Sequence, residues 1–208
     1  SIICTKYISK MKKVGITGGI GSGKTTICQI FESLDIPIYY ADIQAKRIMS
    51  SHASVKQQIK AVLGEEAYHA NGKLNRKFIA SKIFSDKSLL LAINQIVHPA
   101  VQTDADRWTQ QIRADFNPPY IIREAALLVE NGSYKSLDAI IVVTCPENIR
   151  IKRVMKRDRL SNEEVTKKIK RQMAESEKVK VADFVIVNDG IKPIIPQVWE
   201  IHKKISKI

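Results

Sequence analysis

Met11-Lys12-Lys13-Val14-Gly15-Ile16-Thr17-Gly18-Gly19-Ile20-Gly21-Ser22-Gly23-Lys24-Thr25-Thr26 is the stretch whose reading decides the fold. Val14 and Ile16 belong to a short apolar strand, and residues 25–34 put Ile27, Ile30, Phe31 and Leu34 on one helical face. Between them, residues 18–25 match G-x-x-x-x-G-K-[ST] at every position. Strand, glycine-rich turn and helix is the context in which that motif binds phosphate. Glycines let the backbone wrap an anion with its N–H groups turned inwards. The helix that follows aims its positive end at the same place. Lys24 adds a full charge for the transferring phosphates, and the Thr25 hydroxyl is a hard oxygen suited to Mg²⁺.

Outward from this loop, residues 36–40 read as a second short strand ending at Ala41-Asp42. Residues 43–116 carry helical periodicity with no central strand, and His98-Pro99 is expected to interrupt a helix there. Strand and helix then alternate again. Residues 120–123 follow the turn signal Pro118-Pro119, and residues 139–143 form a fully apolar run typical of a strand buried on both faces. Thr144 with Glu147, and Ser161 with Glu164, have capping-box spacing and predict helices from about 145 and 162. Residues 184–187 make a fifth strand, and Pro193 or Pro196 opens a last helix. The reading is α/β: a parallel five-stranded sheet with helices on both faces, a helical insertion over about 44–116 and a helical lid over about 145–175. Ligands of such sheets sit beyond the carboxyl ends of the strands, a rim that gathers the glycine loop, Asp42, Glu124, the segment after Thr144, and Asn188.

Composition bounds the rest. The 208 residues suit one domain, read as 11–208 with a core of 11–43 and 117–208. Residues 1–10 read as an extension outside it, without the apolar stretch of a signal peptide. No apolar run approaches the ~18 residues that cross a bilayer. Cys4, Cys28 and Cys145 are widely separated and form no C-x-x-C pair, which argues against a disulfide framework or structural zinc. A reduced, cytoplasmic protein is expected. The formal charge is +13, and residues 150–180 hold twelve Lys or Arg against five acids with no aromatic residue among them. That pattern suits phosphate clamping better than base stacking.

Among single residues, Asp42 fits either a carboxylate that takes an alcohol proton or an ordinary helix-capping Asp, and spacing leaves both open. Arg153 and Arg157 share a helix face, where they would close over a polyphosphate or form a solvated basic face. Glu124 at the third strand's end could hold Mg²⁺ through water. Trp108 and Trp199 are expected in the core.

These residues resemble the dephospho-coenzyme A kinase family. Residues 11–26 are similar to that family's opening, G-L-T-G-G-I-G-S-G-K-S, with Thr25 for the serine. Tyr40-Ala41-Asp42 resembles its D-A-D, Leu74-Asn75-Arg76 its L-D/N-R, and Val97-His98-Pro99 its L-H-P. Glu124-Ala125-Ala126-Leu127-Leu128-Val129-Glu130 resembles D-x-P-L-L-x-E, with Glu for Asp and Ala126 for proline. Lys152-Arg153 with Lys156-Arg157-Asp158 is similar to the lid, and residues 182–190 to A-D-x-V-I-x-N-x-G.

The resemblance implies ATP-dependent phosphorylation of the ribose 3′-hydroxyl of dephospho-coenzyme A, the last step of coenzyme A synthesis. It implies Asp42 as base, residues 18–26 cradling the ATP phosphates, Thr25 and Glu124 at Mg²⁺, Lys24, Arg153 and Arg157 on the transferring group, and Asn188 with Gly190 near adenine. Arg76, His98 and Glu130 are its candidates for the acceptor. ATP and dephospho-coenzyme A are then the partners, without nucleic acid or membrane, for a chain expected as a monomer with an oligomer left open. The alternatives are another small-metabolite kinase, a nucleotide switch, which lacks N-K-x-D here, and a nucleic-acid ATPase prompted by the charge.

Overall fold

The computed structural model describes residues 11–207. The expected extension over 1–10, with Cys4, lies outside the described residues. The chain forms two compact units, one from the chain up to Tyr39 and from Ile112 onward, the other Tyr40–Gln111. In chain order the elements are β1 (Lys12–Gly18), α1 (Lys24–Glu32), β2 (Ile38–Tyr40), α2 (Ala41–Ser51), α3 (Ala53–Leu63), α4 (Arg76–Ser85), α5 (Lys87–Asp115), β3 (Tyr120–Glu124), β4 (Ala139–Thr144), α6 (Glu147–Asp158), α7 (Asn162–Lys170), α8 (Glu175–Lys180), β5 (Phe184–Val187) and α9 (Ile194–Lys207).

The five strands make one parallel sheet in the order β2-β3-β1-β4-β5, as the alternating pattern predicted. β1 is central because Val14, Ile16 and Thr17 are fully buried, and Ile141, Val142 and Val143 on β4 match them. Ile16 stands opposite Glu124 on one side and Ile141 on the other. The chain therefore leaves β1 between two neighbours, the place where strand order reverses and where such sheets bind ligands. α9 packs against α1 and β5.

Three sequence expectations change. α5 runs unbroken through Pro99, which was expected to interrupt it. Buried Ile93, Val97, Val101 and Ala105 recur every fourth residue across the proline. That continuous apolar stripe outweighs a local cost of ~3 kcal/mol. Thr144 does not cap α6. β4 extends through it, its hydroxyl donates to the Ile186 carbonyl at 3.4 Å, and Pro146 takes the cap position. Ser161 and Glu164 do form the predicted capping box on α7. Trp199 is not core: it is 47% exposed, with its ring stacked on His202.

The second unit is helical, with buried Ile48, Val55, Ile59, Leu63, Ile79 and Ile93 as its core. The Tyr68 hydroxyl donates to the Met49 carbonyl at 2.8 Å, and Arg47 pairs with Asp104 at 2.9 Å. Among the described residues no helix is long and apolar enough to cross a membrane.

Candidate active site

The loop from Gly18 to Gly23 joins β1 to α1. Gly21 and Gly23 adopt φ of 79° and 92°, a left-handed backbone that a side chain would strain. Gly23 also touches Asn188 so closely that a Cβ there would collide with its amide. As the N-cap of α1, Gly23 offers no side chain, which leaves the first-turn N–H groups pointing out of the helix end. Lys24 donates from Nζ to the Gly18 carbonyl at 3.0 Å, folding back over the loop. Thr25 and Thr26 are exposed at the mouth of this turn.

Four residues far along the chain hold the loop. Asn188, buried after β5, donates from its side-chain amide to the Ser22 carbonyl at 2.8 Å. Arg153 on α6 donates to Asn188 Oδ1 at 3.4 Å, and its guanidinium lies beside Gly23. Arg150, one turn earlier and only 6% exposed, donates from Nε to the Ile20 carbonyl at 3.0 Å. The Ile20 N–H donates to Gln172 Oε1 at 2.7 Å. Sequence reasoning missed Arg150 and Gln172 as loop contacts. Arg150 was one basic residue among twelve, and no spacing rule links residue 172 to residue 20.

Behind the loop, Glu124 ends β3 in a buried position. Burial pushes the Cys28 thiol on α1 far above its ordinary range, and the nearby carboxylates of Glu124 and Glu32 add to that, against a smaller opposing effect of Lys24. Glu124 at the end of β3 and Lys24 at the start of α1 thus act on Cys28 with opposite sign. The Thr17 hydroxyl donates to the Ala126 carbonyl at 3.3 Å, tying the next residues to β1.

Two other predicted residues in this unit point elsewhere. Arg157 forms a two-bond clamp on its neighbour Asp158, at 2.7 and 2.9 Å, and its side chain is 62% exposed. That pairing raises the Arg157 pKa and holds the Asp158 carboxyl below its usual range. Arg153, not Arg157, is the arginine of the pair that reaches the loop. Glu130 pairs with the fully buried Lys178 at 2.7 Å, and the same oxygen accepts from the Met173 N–H at 3.2 Å. Gly190 lies in an exposed turn after Asn188, where Asp189 Oδ1 accepts from the Ile191 and Lys192 N–H groups.

The other unit carries Asp42, Arg76 and His98. Asp42 is the second residue of α2, two residues beyond β2, and is exposed. Arg76 opens α4, whose start is capped by Asn75 accepting from the Phe78 N–H at 3.2 Å. His98 is exposed on α5 just before Pro99. A cavity of about 790 Å³ lies around Pro37, Pro118 and Pro119, at the amino ends of β2 and β3. It holds none of the predicted site residues.

The family model that matches the chain is described as dephospho-CoA kinase and spans residues 12–193. A Bacteroides fragilis protein named dephospho-CoA kinase is 34% identical over 189 residues, covering 91% of this chain and 90% of its own. Among solved structures, a crystal structure of a Thermus thermophilus protein covers 93% of this chain and 97% of its own, with TM-score 0.80 and 31% identity. A dephospho-CoA kinase from Campylobacter jejuni covers 95% of this chain and 98% of its own, with TM-score 0.69 and 26% identity. With its intact glycine loop at the reversal point of the sheet and a match from the first strand to beyond the last, the chain belongs to the dephospho-CoA kinase family.

Proposed function

We propose that this protein transfers the terminal phosphate of ATP to the ribose 3′-hydroxyl of dephospho-coenzyme A, giving coenzyme A and ADP, the last step of coenzyme A synthesis. The observation that carries the reading is a complete phosphate-binding loop at the sheet's switch point, in a chain that matches one kinase family over almost its whole length.

In this reading the loop of residues 18–26 cradles the phosphates, with the Ile20 N–H kept by Gln172, and Lys24 and Arg153 neutralise charge on the group in flight. The Thr25 hydroxyl and the Glu124 carboxylate are hard oxygen donors, the set that Mg²⁺ takes together with phosphate oxygens, so these residues fit the ion. When bound it would supply charge neutralisation between the phosphates. Asp42 orients the acceptor hydroxyl and accepts its proton, and its exposure suits a group that must meet a substrate. Asn188 and Gly190 border the nucleotide base. Arg76 and His98 serve the acceptor. For Glu130 the ion pair with Lys178 favours shaping residues 126–130 over direct contact. Cys28 and Cys145 are buried free thiols, which supports a reducing compartment such as the cytoplasm. The chain is taken to act as a monomer.

The test is ADP release from Mg²⁺-ATP with and without dephospho-coenzyme A, following the product by mass. Acceptor-dependent release with one added phosphate supports the reading. No turnover by a folded, ATP-binding protein would overturn the acceptor and leave another small-metabolite kinase.

A further inference from the structure

Ile20 stands between Gly19 and Gly21, so its two peptide groups can rotate with little steric hindrance. Yet it is held on three sides by the segment after β4. Its N–H donates to Gln172 Oε1 at 2.7 Å, and its carbonyl accepts from Arg150 Nε at 3.0 Å. Its side chain packs into the apolar cluster of Val154, Val165 and Ile169, between α6 and α7.

Gln172 is itself fixed from behind. The next residue, Met173, donates its N–H to Glu130 at 3.2 Å, and Glu130 is pinned at 2.7 Å by the buried Lys178. Lys178 also donates to the Ala126 carbonyl at 3.1 Å, in the segment that follows β3. A continuous line of polar contacts thus runs from the end of β3, through Lys178, Glu130 and the 172–173 turn, to the peptide of Ile20. On the other side, Arg150 is paired to Glu175 at 3.6 Å. Neither Gln172 nor Ile20 offers chemistry to a phosphoryl transfer, and both are spent on geometry.

We propose that Gln172 is a positioning residue for nucleotide binding: acting through the Ile20 peptide, it holds the glycine loop in its phosphate-receiving shape before the nucleotide arrives. Without that acceptor the Ile20 N–H must find another partner, and with glycine on both sides the peptide rotates to do so. The loop then spends part of its time in shapes that cannot take a phosphate, and the apparent affinity falls by that fraction. One intramolecular hydrogen bond of ordinary strength sets the size of the effect at about 3- to 10-fold. Bound phosphates order the loop themselves, so the loss appears in KM for ATP and leaves kcat unchanged. The proposal rests on the kinase reading only in requiring that the loop bind a nucleotide, and the identity of the acceptor does not enter.

The test uses the full chain and Mg²⁺-ATP or Mg²⁺-ADP alone, titrated by calorimetry with no acceptor present. Gln172→Met keeps the side chain's length and removes the acceptor oxygen. It should weaken both nucleotides about 3- to 10-fold and speed amide exchange at Ile20 while β1 stays protected. Ser161→Ala is the control: it removes the cap of α7, whose Val165 and Ile169 pack on the Ile20 side chain, and so loosens that helix while leaving the acceptor of the Ile20 N–H in place. Its nucleotide affinity should stay within about twofold of the parent protein. Unchanged affinity in Gln172→Met overturns the proposal. So does an equal loss in Ser161→Ala, which would make the effect one of general loosening. In a working turnover assay Gln172→Met should raise KM for ATP alone, and a fall in kcat at constant KM would count against it.

Discussion

Asn188 donates from its side-chain amide to the carbonyl of Ser22 at 2.8 Å, so the end of β5 is tied directly to the glycine loop after β1. The same side chain accepts from Arg153 at 3.4 Å and leaves no room for a Cβ on Gly23. One amide thus closes the loop, orders an arginine and requires a glycine.

Asn188→Ala removes the donor and leaves a buried carbonyl unpaired. An unmade buried hydrogen bond costs about 1–3 kcal/mol, so the midpoint of urea denaturation should fall accordingly. Nucleotide affinity should fall with it, because Arg153 loses the acceptor that holds it beside Gly23. A variant of parental stability and affinity would show that the loop keeps its shape by other means.

Asp42→Asn keeps the size of the side chain and removes its basicity. As the proposed proton acceptor, Asp42 should account for about 10²–10⁴-fold in kcat. Its exposed place in the first turn of α2 should let the variant fold normally. Titration with Mg²⁺-ATP should give an unchanged affinity, which separates loss of the base from loss of the nucleotide site. Near-parental turnover in a folded variant would remove Asp42 from the chemistry.

The sheet and the loop were legible because both are local. Residues 18–25 name their own turn, the apolar run at 139–143 leaves a strand buried on both faces as the natural reading, and 184–187 reads as a further short strand, which the structure places at the sheet edge. Pro99 misled because proline acts on its own turn, whereas the stripe that carries α5 across it is a property of the whole helix. Thr144 misled for a related reason: its spacing to Glu147 suited a cap, but pairing of β4 with β5 had already claimed the residue. The residues that hold the loop were the least legible. Gln172 and Arg150 meet Ile20 across 152 and 130 positions of chain, and only the packing of α6 and α7 brings them there. Arg153 and Arg157 looked equivalent at a four-residue spacing, yet Asp158 captures one of them at the helix end.

Lys178→Met should destabilise the fold strongly. The ammonium is fully buried, bonded to Glu130 at 2.7 Å and to the Ala126 carbonyl at 3.1 Å. Removing one member of a buried pair leaves the other charge uncompensated, at a cost of about 3–5 kcal/mol. The double variant Lys178→Met with Glu130→Gln should recover part of that loss, since no unpaired charge remains. Equal destabilisation of single and double variants would mean that packing of the lysine stem matters more than the pair.

His202 should make stability depend on pH. Its Nδ1 lies 2.8 Å from the Tyr120 hydroxyl, and Trp199 stacks on the ring with centroids 5.5 Å apart. Burial lowers the imidazole pKa below its ordinary 6.5 and pushes the Tyr120 phenol well up, so the neutral pair is the folded form. The folded state then resists a proton that the unfolded chain accepts near pH 6.5. Stability is therefore level above that pH and falls as pH drops through it toward the lowered folded value. Melting temperature should decrease between about pH 7.5 and 5.5, and His202→Gln, which can still accept from Tyr120, should flatten that decrease. An identical slope in the variant would assign the pH dependence to other groups.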